Sequence, residues 1–156
     1  MDRRTRWVLL AYRLPREPST PRISLWRQLR RLGVAHVADG VVALPLDART
    51  REQLEWLAEE VVENHGEATI WLAEPGSRAH ERFFAQQMVD ALQVAYETVI
   101  AAADGASATD PARRRTLARL RRELRRIGSR DYFPTDLSRR ARAAVEALGA
   151  AIEIAS

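Results

Sequence analysis

What most constrains this chain is the alternation of strand-length apolar runs with helical stripes over its first half. Trp7-Val-Leu-Leu-Ala-Tyr12 is a continuous apolar run, the length of a strand buried on both faces and hence a central one. Pro15 and Pro18 close it. Ser19-Thr-Pro21 reads as a helix start, with a hydroxyl cap and a proline in the first turn. That helix runs to Gly33. It is expected to turn Trp26, Leu29 and Leu32 inward and to carry Arg27, Arg30 and Arg31 near its C-terminal end, where cations complement the dipole. Val34–Val37 and Val41–Leu44 flank Ala38-Asp39-Gly40, and an Asp-Gly pair between β-type runs signals a hairpin. Pro45 ends the second of these strands. A helix capped at Thr50 or at Asp47 follows, striped by Leu54, Leu57, Val61 and Val62 and ended by Gly66. Ala68–Ala73 is a fourth strand, stopped by Pro75-Gly76.

The order β-α-β-β-α-β, with two crossovers and one hairpin, predicts a ferredoxin-like split sheet carrying two helices on one face. Strands 1 and 3 are expected in the centre, and strands 2 (with His36 and Asp39) and 4 at the edges. Beyond Gly76 the period changes. Phe84, Met88, Leu92, Ala95 and Val99 predict a long helix over about Ala79–Ala103. Asp110-Pro111 reads as an N-cap followed by an N1 proline. Leu117, Leu120, Leu124 and Ile127 then form an apolar seam, and Gly128 stops that helix. Asp131-Tyr-Phe-Pro134 is an aromatic turn before a last helix from Asp136 to about Leu148. The fold class is therefore α+β. Residues 1–76 make the ferredoxin-like module, and 77–156 a three-helix extension packed on it as one structural unit.

Charge is arranged in blocks. All 25 cationic side chains are arginine, and the net charge is +4. Arg3 to Arg31 has a balance of +8, Asp47 to Glu97 of −7 and Pro111 to Arg142 of +9. One reading is that basic faces meet nucleic acid, because phosphate neutralisation is the main sequence-independent source of affinity. The other is that the arginines pair with the acidic second helix (Glu52, Glu55, Glu59, Glu60, Glu63), within the chain or across a dimer.

Catalytic chemistry is thinly supplied. With no cysteine, disulfides, zinc–thiolate sites, iron–sulfur clusters and a thiol nucleophile are excluded. With no lysine, so are a Schiff base and a P-loop. His36, His65 and His80 have no metal-ligand spacing. Ser19, Ser24, Ser77 and Ser129 sit in no activating motif. No catalytic residue, metal or cofactor is expected, and the chain is read as non-enzymatic. Trp26, Trp56 and Trp71 are expected in the core or at an interface, and Trp7 at a sheet margin. No apolar run approaches the ~18 residues of a membrane span, and no signal peptide is apparent. A soluble cytoplasmic protein is the expectation.

Several stretches together resemble a known family. They are Trp7-Val-Leu-Leu-Ala-Tyr-Arg-Leu-Pro15, Pro21-Arg-Ile-Ser-Leu-Trp-Arg-Gln-Leu-Arg-Arg-Leu-Gly33 and Asp39-Gly-Val-Val-Ala-Leu-Pro45. The long helix through Phe83 and Tyr96, the arginine-rich Leu117–Arg126 and Asp131-Tyr-Phe-Pro134 continue the likeness over nearly the whole chain. It resembles the N-terminal domain of chromate-resistance regulators of the ChrB type. The resemblance implies a bacterial regulatory protein linked to a chromate-efflux operon. Such proteins commonly carry a further C-terminal domain, in which much of the proposed chromate response lies. The expectation for this chain is a stand-alone homologue or part of a longer protein. The first seventy-five or so residues are also similar to the ferredoxin-like module of phenylacetate-pathway repressors and of small CRISPR-associated nucleases. The nucleases place an aspartate at the end of their first strand, where this chain has Tyr12-Arg13-Leu14, so a catalytically inactive relative is the form that likeness takes.

Two sets of arginines are candidates for DNA or anion contact. The first is Arg13, Arg16, Arg22, Arg27, Arg30 and Arg31; the second is Arg114, Arg115, Arg122 and Arg126. Phosphate contacts of this kind position a protein without reading bases. Arg13, Arg16 and Arg22, around the first strand–helix turn, are the candidates for chromate or sulfate, since clustered arginines give charge-assisted bonds to tetrahedral dianions. A homodimer is expected, with no membrane partner.

Overall fold

The computed structural model describes residues 5–156; Arg3 and Arg4 of the first basic block lie outside them. The elements run β1 (Trp7–Arg13), α1 (Thr20–Leu32), β2 (Ala35–Ala38), β3 (Val41–Pro45), α2 (Ala48–Glu63), β4 (Glu67–Ala73), α3 (Arg78–Gly105), α4 (Arg113–Gly128) and α5 (Asp136–Ala155). The fold is α+β, a ferredoxin-like βαββαβ sheet followed by three helices. Contacts divide the chain into two compact units, residues 1–88 and 89–156, with the division inside α3.

In the first unit the strand order is β2-β3-β1-β4, with every neighbouring pair antiparallel. β1 and β3 are thus central and β2 and β4 are edges, as the apolar runs predict. Alternation along the strands separates two faces. Val8 and Leu10 of β1 are aligned with Leu44 and Val42 of β3 and with Leu72 and Ile70 of β4. The buried Val8, Leu10, Val42 and Leu44 share the core with Leu25 and Leu29 of α1 and Leu54, Leu57 and Val61 of α2. α2 lies over β1 and β4 and touches α1, where Gln28 Nε2 donates to Glu60 Oε2 at 2.9 Å. On the opposite face, Trp7, Leu9, Ala43 and Ala73 meet His80 and Phe84 at the start of α3 around a cavity of about 220 Å³. Trp7 is only 3% exposed, so it lies in the core and not at a sheet margin.

The other tryptophans are not in the core, so of the two expected places, core or interface, only an interface remains for them. Trp26, Trp56 and Trp71 are each more than half exposed. The inward stripe of α1 is set by Leu25 and Leu29, and Trp26 stands one residue, about 100°, round from it. The stripe of α2 is Thr50, Leu54, Leu57 and Val61, which leaves Trp56 and Val62 outside. Trp71 alternates onto the far face of an edge strand.

Local signals are partly rewired. Ser19 is the N-cap of α1, but its hydroxyl makes no cap bond. Asp47, the alternative to Thr50, caps α2 through a reciprocal capping box with Thr50. At the end of α2 the left-handed residue is His65, with φ 68°. Gly66 answers a need for space: a Cβ there would stand 2.4 Å from the carbonyl oxygen of Arg13. Gly40, with φ +74°, does the same for the other side of the strand end, where a Cβ would stand 2.6 Å from the Tyr12 carbonyl. Two close approaches thus place the last residues of β1.

In the second unit, Leu92, Tyr96, Val99 and Ala103 of α3 pack with Leu117, Leu120 and Ile127 of α4 and Ala141, Val145, Leu148 and Ile152 of α5. Asp110 does not cap α4 directly. Its Oδ1 accepts from the Ala112 N–H at 2.7 Å, forming a turn ahead of a helix whose N-cap is Ala112. α5 begins on a Thr135–Ser138 capping box. It runs through Gly149 to Ala155, past the predicted end near Leu148, because Gly149 is a buried contact with α4.

Candidate anion-binding grooves

The end of β1 opens into a groove of about 950 Å³ lined by Tyr12, Arg13, Leu14, Ser19, Arg22, Ile23, Trp26, Arg27, Asp39 and Gly40. Three sources supply it. The close approach at Gly40 fixes the β-hairpin turn against Tyr12, whose N–H donates to the Gly40 carbonyl at 2.8 Å. β1 delivers Arg13. The exposed face of α1 delivers Arg22, Trp26 and Arg27. The groove thus holds three guanidinium groups and one carboxylate, at the N-terminal end of a 13-residue helix. Burial pushes the Tyr12 phenol above its usual range; Arg22 opposes that rise and Asp39 adds to it.

The remaining candidates on this unit are dispersed. Arg16 is exposed in the loop before α1 and does not line the groove. Arg30 lies over the Trp26 ring, 4.9 Å from its centroid, a cation–π contact on the exposed face of α1. Arg31 is exposed in the last turn of α1. Among the described residues none of Arg13, Arg16, Arg22, Arg27, Arg30 and Arg31 forms an ion pair. The pairs Arg51–Glu55, Arg126–Glu123 and Arg139–Asp136 are each local to one helix.

On α4 the four predicted arginines do not form one site. Arg114 Nη2 donates to Ser156 Oγ at 2.8 Å. Arg126 is paired with Glu123 at 2.9 Å. Arg115 and Arg122 are exposed. The residues that do converge are Arg121, Arg125 and Arg142, with Glu146, in a groove of about 460 Å³ between α4 and α5. Two glycines lie beside them, and at Gly149 the missing side chain leaves space that Arg121 uses. A Cβ on Gly149 would stand 3.1 Å from Arg121 Nη2, and one on Gly128 would stand 3.9 Å from Arg142 Nη2. Each helix therefore lays an arginine over a glycine of the other, in antiparallel register. The sequence signals one half of this, since Arg121 and Arg125 each follow a seam leucine by one residue and so share one margin of the apolar face; that Arg142 joins them is set by the register of α4 against α5.

Among the described residues no group of three or more histidine, aspartate or glutamate side chains is placed to hold a metal ion. No helix there is long and apolar enough to cross a membrane.

A ferredoxin-like split sheet with a groove lined by Arg13, Arg22 and Arg27, and a helical unit with a groove lined by Arg121, Arg125 and Arg142, define a class of arginine-rich α+β proteins. Comparison with known proteins makes this specific. A family described as "Protein ChrB, N-terminal" matches residues 22–109, and the chain belongs to that family. Protein ChrB of Cupriavidus metallidurans is 27% identical over 155 residues, covering 96% of this chain and 47% of that protein. The chain thus spans about half the length of this curated relative. No solved structure matches it.

Proposed function

We propose that this chain is a chromate-resistance-associated regulatory domain of the bacterial cytoplasm. It acts without catalysis, as a homodimer, by meeting nucleic-acid phosphates with its arginine faces. Family membership supports the link to chromate resistance. The observation that carries the nucleic-acid reading is that the α1 arginines and Arg13 have no carboxylate partner among the described residues, although α2 next to them is acidic. Exposed arginines without carboxylate partners neutralise phosphates and so release the counterions condensed on the nucleic acid, which supplies affinity without sequence readout. The test is a titration of operator-length duplex at two salt concentrations. Binding that weakens steeply with salt supports the reading. No binding at low salt, or binding indifferent to salt, counts against it.

A second reading is favoured by the groove at the end of β1. Arg13, Arg22 and Arg27 share it with the uncommitted Ser19 hydroxyl and the first turn of α1, a setting that favours a tetrahedral oxyanion such as chromate or sulfate. Calorimetry with each anion tests it, and the absence of both heat and thermal shift would remove it.

A further inference from the structure

The two edges of the sheet are built differently. β2 has four residues, and its ladder with β3 is broken between His36 and Ala38. Its main chain is also occupied from outside. The His36 N–H donates to Gln87 Oε1 at 2.7 Å, and Gln87 Nε2 donates to the His36 carbonyl at 3.4 Å. A side-chain amide there takes the place of a neighbouring strand. A short, bulged and covered edge is how proteins prevent strand addition.

β4 has none of these devices. It is seven residues long, Glu67-Ala-Thr-Ile-Trp-Leu-Ala73, and its register with β1 is unbroken from Arg13↔Glu67 to Trp7↔Ala73. It contains no proline, and its only charge is at its first residue. Among the described residues no strand pairs with its outer edge, and Trp71 and Leu72 are 59% and 39% exposed. A long, apolar, regular edge is a template for another strand.

We propose that β4 pairs antiparallel with β4 of a second copy of this chain, joining two four-stranded sheets across a two-fold axis at Ile70. The proposal rests on the reading of the chain as a homodimer and assigns the surface. The strand is self-complementary in this register. Thr69 falls opposite the partner's Trp71, Ala68 opposite the partner's Leu72, and Glu67 opposite the partner's Ala73. The two Glu67 carboxylates therefore stand at opposite ends, about 20 Å apart at the usual strand rise, with no like charges face to face. Each exposed indole gains a cross-strand neighbour, and Trp71 Nε1 already donates to Thr69 Oγ1 of its own strand at 2.8 Å, which orients it along the strand. A two-fold pairing needs only one such edge, and this sheet leaves β4 open.

The experiment is a charge swap at the paired positions, read as solution mass by sedimentation equilibrium, with circular dichroism confirming that each variant is folded. Thr69→Glu with Trp71→Glu sets like charges opposite each other twice, and should weaken self-association at least about tenfold. Thr69→Arg with Trp71→Arg should do the same, and mixing the two variants should restore a dimer. A native chain that is dimeric while the charge variants stay equally dimeric overturns the surface and leaves the homodimer standing. A native chain that is monomeric overturns both and leaves the edge to a strand from another protein.

Discussion

The hydroxyl of Tyr96, in the middle of α3, donates a 2.6 Å hydrogen bond to Oδ2 of Asp131, in the turn between α4 and α5. It ties the turn to the core of the helical unit, and Asp131 Oδ1 accepts from the Phe133 N–H at 3.2 Å at the same time. Tyr96 is 3% exposed, so Tyr96→Phe leaves a carboxylate short of a donor beside a packed ring. A destabilisation of about 1–3 kcal/mol is expected, measured by urea unfolding followed by circular dichroism.

The same pair has a pH signature. Burial, and then the bond to Asp131, push the Tyr96 phenol well above its usual range, with Arg142 and Arg130 pulling the other way. A group whose folded pKa is raised contributes its stability fully below the unfolded value, near 10, and loses it as pH rises beyond. Native stability should therefore fall from about pH 10 upward. Tyr96→Phe should lack this component, so the gap between the two proteins should narrow at alkaline pH.

Two glycine-to-alanine changes should have opposite signs. At Gly66 the new methyl meets backbone, 2.4 Å from the Arg13 carbonyl, and a destabilisation of about 1–3 kcal/mol is expected. At Gly149 it meets the tip of Arg121 at 3.1 Å and otherwise ordinary contacts with Leu117. A guanidinium can give way, and alanine inside a helix is worth about 0.5–1 kcal/mol over glycine. Thermal melts of the two variants check the contrast.

For nucleic-acid binding, the prediction concerns salt. Replacing Arg30 and Arg31 together by Gln should weaken binding similarly on unrelated duplexes. It should reduce the slope of log affinity against log salt by about 1 for each phosphate that is no longer neutralised. Fluorescence anisotropy at several salt concentrations measures the slope. A change confined to one DNA sequence would point to base readout instead.

For the groove at the end of β1, Arg13→Gln with Arg22→Gln should abolish any calorimetric signal with sulfate or chromate, whereas Arg16→Gln should leave it intact, because Arg16 does not line the groove. Equal weakening by both variants would mean a diffuse charge effect.

Much of this architecture is legible in the residues. The run Trp7–Tyr12, the Asp39-Gly40 turn and the stripe of α2 are local patterns, and local patterns suffice for element type and for the β2-β3-β1-β4 order once right-handed crossovers are assumed. The seam Leu117–Ile127 likewise announces the packed face of α4. The tryptophans are not legible in this way, since an aromatic on a strand is buried only if something covers its face. Trp7 and Trp71 alternate onto the same side of the sheet, yet Trp7, on the central strand, is buried beside a cavity that His80 and Phe84 also line, and Trp71, on the edge, is exposed. Nor is the grouping of Arg121, Arg125 and Arg142, which requires the register of α4 against α5.

By itself, then, the sequence determined the elements, their order and the excess of arginine, because periodicity and turn chemistry act over a few residues. Tertiary structure alone decided which arginines share a groove, which tryptophan is buried and which sheet edge pairs with no further strand among the described residues. Each of those depends on what a distant segment brings into contact.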